Sequence, residues 1–328
     1  MKIAQVTNLF ESVPPENQHG LERVVYDLTE ELVKMGHEVT LFATADSQTS
    51  AKLVAMWPKA VGKDEYGKIL DGSTYSMWSV SEAFIRQKEF DVIHDHTRFV
   101  AAHFAGAINT PVVTTIHHPV SKELDFPLQY PVEYQAYFKK ITTRNLSHIN
   151  PVVVSDFQAQ IFNRGYGRMP TVIYNGLPLE LWPFCQTPQD YFAFLGYITP
   201  DKGAAEAIQA ILPTGQKLKI AGPLDDREIN QNYFLQRIKP YLNNNIEYVG
   251  SLGFDQKVDF LKNAKALLMP IQWDEPFGLV VIEAMVCGTP VIAMNRAAMP
   301  EIIRDGVDGY LVGSVKEMTE KIGLVDKL

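Results

Sequence analysis

Short apolar runs alternate along the chain with longer stretches in which apolar residues return every third or fourth position. Residues 2–7 (KIAQVT), 38–43 (EVTLFA), 91–94 (DVIH) and 111–116 (PVVTTI) predict strands. Between the first two, Leu21, Val24, Val25, Leu28, Leu32 and Met35 fall on one helical face, and Gly36 supplies a stop signal. The second half repeats the rhythm. Residues 191–195, 218–221, 246–249, 266–269 and 290–293 read as strands, and 204–211, 254–263 and 278–287 as helices. Apolar strands separated by helices predict parallel sheets covered on both faces. Residues 174–188 (YNGLPLELWPFCQTP) hold three prolines and a glycine with no sustained period, which predicts a linker. The expectation is an α/β chain of two doubly wound, Rossmann-like domains, 1–175 and 176–328, facing across a cleft. Ligands of such sheets bind beyond the carboxyl ends of the strands, so the cleft is the expected site.

Composition narrows the function. With 328 residues, 46% hydrophobic and 21% charged, the chain is an ordinary globular one. Lys+Arg 30 against Asp+Glu 38 gives −8, which argues against nucleic acid as a partner. One phosphorylated small molecule, held by a few local donors, remains compatible with that charge. Cys185 and Cys287 are far apart in sequence and predict neither a disulfide framework nor a zinc ribbon. Together with an N-terminus that runs from Lys2 straight into a strand, with no signal peptide, they point to a reducing, cytoplasmic setting. No apolar run approaches the ~20 residues of a membrane helix, and peripheral membrane association is not indicated.

The most informative stretch is 274–290, DEPFGLVVIEAMVCGTP. Phe277 and Gly278 open an apolar helix whose first N–H groups are free and partly positive, a seat for phosphate. Gly278 lets a ligand approach that backbone. Glu275 precedes the helix, and Glu283 lies just over a turn inside it, placed to accept hydrogen bonds from a diol. Two such carboxylates suit a ligand with phosphates in the middle and hydroxyls at both ends. Taken singly, Glu275 reads better as a partner of the helix dipole and Glu283 as a surface glutamate. Five of the eight histidines fall between His94 and His118. A metal centre would need two more well-placed ligands from carboxylates such as Asp95, and the spacing matches no known metal motif. Residues 125–138 carry Phe126, Tyr130, Tyr134, Tyr137 and Phe138, either a sugar-stacking surface or loop and helix core.

The 274–290 stretch resembles the signature of the family-4 retaining glycosyltransferases (glycosyl transferase group 1): E-x-F-G, a second Glu, then G-x-P-V-I. The resemblance covers nearly the whole chain. His19-Gly20-Leu21-Glu22 resembles the family's Gly-Gly-x-Glu loop, Gly36-His37-Glu38-Val39 its G-H-E-V entry, and 91–96 (DVIHDH) its D-V-V-H-x-H run. Thr115-Ile116-His117, Asn175-Gly176, Gly222-Pro223, Val249-Gly250, Pro300-Glu301 and 306–312 (GVDGYLV) match in order. The resemblance implies the GT-B fold and transfer of a sugar from a UDP- or GDP-sugar donor, with retention, to an acceptor it leaves unnamed: a saccharide, a lipid-linked sugar or a small metabolite. It implies catalytic roles for His117 and Glu275. Donor binding falls to Gly20, Tyr197, Lys202, Gly222, Gly250, Gly278, Leu279, Val280 and Glu283, and the acceptor side to His19 and Glu22. No metal and no cofactor are implied; the nucleotide-sugar is a co-substrate.

Two departures stand out. The first glycine of the Gly-Gly loop is His19. In the family's G-R-x-x-x-x-K-G run, here Gly196 to Gly203, Lys202 matches but the arginine position holds Tyr197, which carries no charge. Arg296 is the candidate to compensate. Tyr197 keeps open a nucleotide-sugar binder without transfer activity, and a GT-B epimerase is a further alternative. A dehydrogenase is disfavoured, because residues 8–20 lack G-x-G-x-x-G. Residues 316–328 offer one short helical pattern, so the family's crossover helix is expected to be short or absent.

Overall fold

The apolar runs become strands in the computed structural model, which describes residues 1–16, 19–63, 72–121 and 131–328. The chain divides into two units, Met1–Pro15 with His19–Gly176, and Leu177–Leu328.

In the first unit the strands are β1 (Lys2–Val6), β2 (Glu38–Thr44), β3 (Lys52–Trp57), β4 (Val92–Asp95), β5 (Val112–Ile116), β6 (Asn150–Val153) and β7 (Thr171–Val172). They form one parallel sheet in the order β3-β2-β1-β4-β5-β6-β7. β1 and β2 are buried at every position after the first, as strands covered on both faces must be. Ala4, Val6 and Phe42 face a core with Val80, Ala83 and Phe84 of the helix Gly72–Ile85. The alternate residues Leu41 and Ala43 pack with Val25 of the helix Gly20–Lys34. That helix ends as Gly36 predicts: Gly36 sits at φ 85, its N–H donates to Val33 O and that of His37 to Leu32 O.

The second unit holds β8 (Phe192–Leu195), β9 (Leu218–Ala221), β10 (Ile246–Gly250), β11 (Ala266–Met269), β12 (Val291–Met294) and β13 (Gly309–Val312), parallel in the order β10-β9-β8-β11-β12-β13. Alternation divides its core in two. Ala193, Leu195, Leu267 and Met269 pack with Phe260, Leu261, Val281 and Ala284 on one face. Phe192, Phe194, Ile220 and Leu268 pack with Ile208, Ile211, Met318 and Ile322 on the other. Both sheets reverse their strand order once, between β1 and β4 and between β8 and β11. A crevice opens at the carboxyl ends of the strands at such a reversal.

Several elements were not legible in the sequence. β3 is a half-exposed edge strand, β7 has two residues, and β13 falls inside the 306–312 motif. The two cysteines are free, yet they meet: Cys185 N–H donates to Cys287 O at 2.9 Å. Among the described residues no helix is long and apolar enough to cross a membrane.

Candidate active site

In the second unit, three strand ends converge on glycines. Gly222 has φ 147, and a Cβ there would lie 1.7 Å from Gly196 O, so only glycine fits. Gly222 N–H donates to Gly250 O, and the Tyr248 hydroxyl closes on Gly222 O at 2.8 Å. The backbone at the ends of β8, β9 and β10 is therefore bare of side chains at these positions.

The loop after β8 then meets the loop after β11. Gly203, at φ 85, passes so close that a Cβ would lie 2.2 Å from Pro270 O, and Gln272 N–H donates to Asp201 O at 2.9 Å. This packing brings Lys202 to Glu275, with Nζ 2.8 Å from Oε2. Trp273 Nε1–H donates to the same Oε2 at 2.9 Å, and the Lys202 ammonium sits 4.4 Å from the Trp273 ring centroid. Gly278, at φ 92, caps the helix Leu279–Val286, and a Cβ there would meet Met299 Cε at 2.8 Å. The first N–H groups of that helix lack intrahelical partners, as at any helix start. A cation, a carboxylate and a helix N-terminus thus share the strand-order reversal between β8 and β11.

Glu283 is placed differently from a surface glutamate. It is 4% exposed, and its Oε1 is bonded to Lys257 Nζ at 2.5 Å. Lys257 comes from the neighbouring helix Phe254–Lys262 and also lies 5.1 Å from the Trp182 ring centroid. Nothing in the sequence spacing links Lys257 to Glu283. Trp273 was equally unmarked, although it stands two residues before Glu275.

Tyr197 is half-buried at the end of β8. Arg296 does not stand free to serve it: its Nε is 3.1 Å from Asp274 Oδ1. Arg227, on the loop after β9, feels the charge of Asp201, although its principal partner is Asp225, with Nε–H donating to Oδ2 at 2.7 Å. That bond raises the guanidinium pKa further.

In the first unit, His94 and His96 project from the end of β4 with ring centroids 4.2 Å apart. His94 Nε2 bonds Thr115 Oγ1 at 2.7 Å, and His96 bonds His117 and Gln5. Burial pushes His94 down to about 4 and His117 to about 3, the latter aided by His118 and His94; His96 lies well below its ordinary value. Asp95, on the opposite face, is pushed up to about 6 by burial, against hydrogen bonds from Thr97 and Thr114. Among the described residues no three His, Cys, Asp or Glu side chains are arranged to hold a metal ion.

His19 is the N-cap of the helix Gly20–Lys34 at φ −109, ψ 106, an extended conformation open to any residue. The backbone conformation at this position therefore does not require glycine. His19 Nε2 lies 3.3 Å from Glu11 Oε1. Glu22, in the first turn, is buried, which raises its pKa against bonds from its own backbone N–H and from Asn8. Of the aromatic stretch, residues 125–130 lie outside the described residues, and Tyr134 and Tyr137 are exposed on the helix Val132–Leu146.

Comparison with known proteins agrees with this architecture. The family model of glycosyl transferases group 1 matches residues 185–325, and that of glycosyltransferase family 4 matches residues 19–181. An uncharacterized glycosyltransferase of Methanocaldococcus jannaschii is 26% identical over 251 residues, covering 75% of this chain and 68% of that one. Sucrose-phosphate synthase from Thermosynechococcus elongatus superposes with a TM-score of 0.79 at 19% identity, over 100% of this chain and 90% of its own. Anabaena HepE, solved in complex with UDP-glucose, gives a TM-score of 0.75 at 19% identity, over 99% and 89%.

Proposed function

This chain belongs to the glycosyl transferases group 1 and is built on the GT-B fold, and we propose that it moves a sugar from a UDP- or GDP-sugar to an acceptor hydroxyl with retention of configuration. The observation that carries the reading is the Lys202–Glu275–Trp273 cluster beside the N-terminus of the helix Leu279–Val286. The complex of HepE with UDP-glucose supports a uridine donor among the possibilities.

In the proposed reaction the bond between the anomeric carbon and the diphosphate breaks. The sugar passes through an oxocarbenium-like state, and the diphosphate gains charge. Lys202 and the N–H groups of Leu279 and Val280 stabilise that charge, while Glu275 accepts hydrogen bonds from sugar hydroxyls. Glu283, held in place by Lys257, takes the ribose diol. Gly222 and Gly250 let the nucleotide lie against backbone. His117 is assigned to the donor sugar, and Gly20, His19 and Glu22 serve the phosphate and the acceptor side of the first unit. The cationic role falls to Lys202 and the backbone amides. The acceptor hydroxyl attacks the face from which the diphosphate leaves, its proton passing to the departing phosphate oxygen.

The test is nucleotide release from a panel of UDP- and GDP-sugars without acceptor. Slow hydrolysis of one donor is expected, reduced about 10²–10³-fold in Lys202→Ala and abolished in Glu275→Ala. Tight donor binding with no release under any acceptor would support the binder that Tyr197 keeps open. Absence of nucleotide-sugar affinity would overturn both.

A further inference from the structure

The first unit carries a chain of three side chains that ends on His117. β1, β4 and β5 pair in parallel with Gln5 opposite His94 and His94 opposite Val113, so Gln5, His94, His96, Thr115 and His117 share one face of the sheet. Gln5 Oε1 lies 2.8 Å from His96 Nε2, and His96 Nδ1 lies 2.9 Å from His117 Nε2. The His96 and His117 rings are within 26° of parallel. Gln5 and His96 are fully buried, whereas His117 keeps some exposed surface.

The donors and acceptors along this chain follow in order. Gln5 presents Oε1 to His96 and leaves its own buried Nε2 without a hydrogen-bond partner. In this amide orientation the oxygen only accepts, so His96 Nε2 carries a hydrogen. A neutral imidazole carries one, so His96 Nδ1 accepts, and the hydrogen between the two rings belongs to His117 Nε2. His117 is neutral as well, which leaves a lone pair on its Nδ1. Neutrality holds across the physiological range, because burial keeps all three imidazoles of the cluster from protonating. His94 takes no part in the chain, being bonded to Thr115.

We propose that Gln5 and His96 are positioning residues that lock His117 in its Nε2–H tautomer, so that Nδ1 accepts a hydrogen bond from a substrate hydroxyl. The role of His117 toward substrate rests on the proposed glycosyl transfer; the tautomer does not. The arrangement makes His117 selective. A hydroxyl donates to Nδ1, whereas an O-methyl or carbonyl group at the same place meets a lone pair with a lone pair. His117 acts in it as a hydrogen-bond acceptor and not as a proton donor.

Long-range proton–nitrogen correlation spectra of the full chain, labelled with nitrogen-15 at histidine, read the tautomers directly. Wild type is expected to show Nε2–H with unprotonated Nδ1 at both His96 and His117. An Nδ1–H tautomer or an imidazolium at His117 overturns the proposal. Gln5→Glu supplies a carboxylate that charges His96 and makes both its nitrogens donors. His117 Nε2 must then accept, and the tautomer is expected to invert; an unchanged His117 spectrum in the folded variant counts against the chain. Gln5→Met removes the acceptor and is expected to lower kcat about tenfold at unchanged UDP affinity, the worth of one hydrogen bond. A Gln5→Met enzyme with wild-type kcat refutes the coupling to substrate. If no nucleotide sugar is turned over at all, the wild-type and Gln5→Glu spectra still decide the tautomer, so the two readings fail separately.

Discussion

Lys257 Nζ and Glu283 Oε1 stand 2.5 Å apart between two neighbouring helices, both side chains almost fully buried. Removing one member leaves the other as a buried, uncompensated charge. Lys257→Met is therefore expected to cost about 3–5 kcal/mol of stability, whereas Lys257→Met with Glu283→Leu recovers most of it. Denaturant titration of the two variants checks this. Equal losses in the single and double variants would mean that the pair is not the source.

Tyr197 occupies a position at the end of β8 where a guanidinium would face the donor diphosphate in the proposed reading. Arg296 is tied to Asp274, and Arg227 to Asp225. Neither is free without breaking a bond. Tyr197→Arg is expected to tighten UDP binding about tenfold, the value of one charge-assisted contact. Titration calorimetry with UDP reads the change, and unchanged affinity would remove Tyr197 from the diphosphate site.

The histidine cluster predicts acid sensitivity. His94 falls from 6.5 to about 4 on folding and His117 to about 3, so above pH 6.5 both states are neutral and stability is intact. As pH drops below 6.5 the unfolded chain takes up protons that the folded chain refuses, and stability is lost progressively toward pH 4, by roughly 3 kcal/mol for His94 alone. Asp95 acts in the opposite sense. Raised from 3.8 to about 6, it favours the folded state at acid pH and costs stability as pH rises through that range. Three imidazoles outweigh one carboxyl, so Tm should fall between about pH 7 and pH 4.5. His94→Asn should flatten that slope; a slope identical to wild type would disprove the assignment.

Gly222 and Gly306 separate backbone conformation from crowding. Both have positive φ, but a Cβ at Gly222 collides with Gly196 O while one at Gly306 meets open space. Gly306→Ala is expected to cost about 1–2 kcal/mol. Gly222→Ala should exceed about 4 kcal/mol and abolish UDP binding. Thermal melts of the two side by side provide the comparison, and similar Tm values would contradict it.

The readable part of the sequence was the local part. Glu275, Gly278 and the helix behind them lie within a few residues of one another, and Lys202 stands at a fixed spacing from the end of β8. Lys257 and Trp273 acquire their roles only when a neighbouring helix or loop folds against them. Gln5 lies within the strand run 2–7 with nothing local to mark it; its partner His96 is ninety-one positions away. His19 stood out as a missing glycine, yet its φ of −109 needs none. Residue identity alone does not give that backbone angle. β3 and β7 were missed because an edge strand is not obliged to be apolar on both faces.

The contact between Lys202 and Glu275 has a bearing on turnover under the proposed reading. The two are each other's counter-ion in the structure. An intact donor gives both a new partner, phosphate for the ammonium and sugar hydroxyls for the carboxylate. The spent nucleotide gives a partner only to Lys202 and leaves Glu275 with Trp273 alone. Glu275 then competes with the product for the same ammonium. In that reading the internal salt reforms as the nucleotide departs, and the residue assigned to the sugar also helps to expel what the sugar leaves behind.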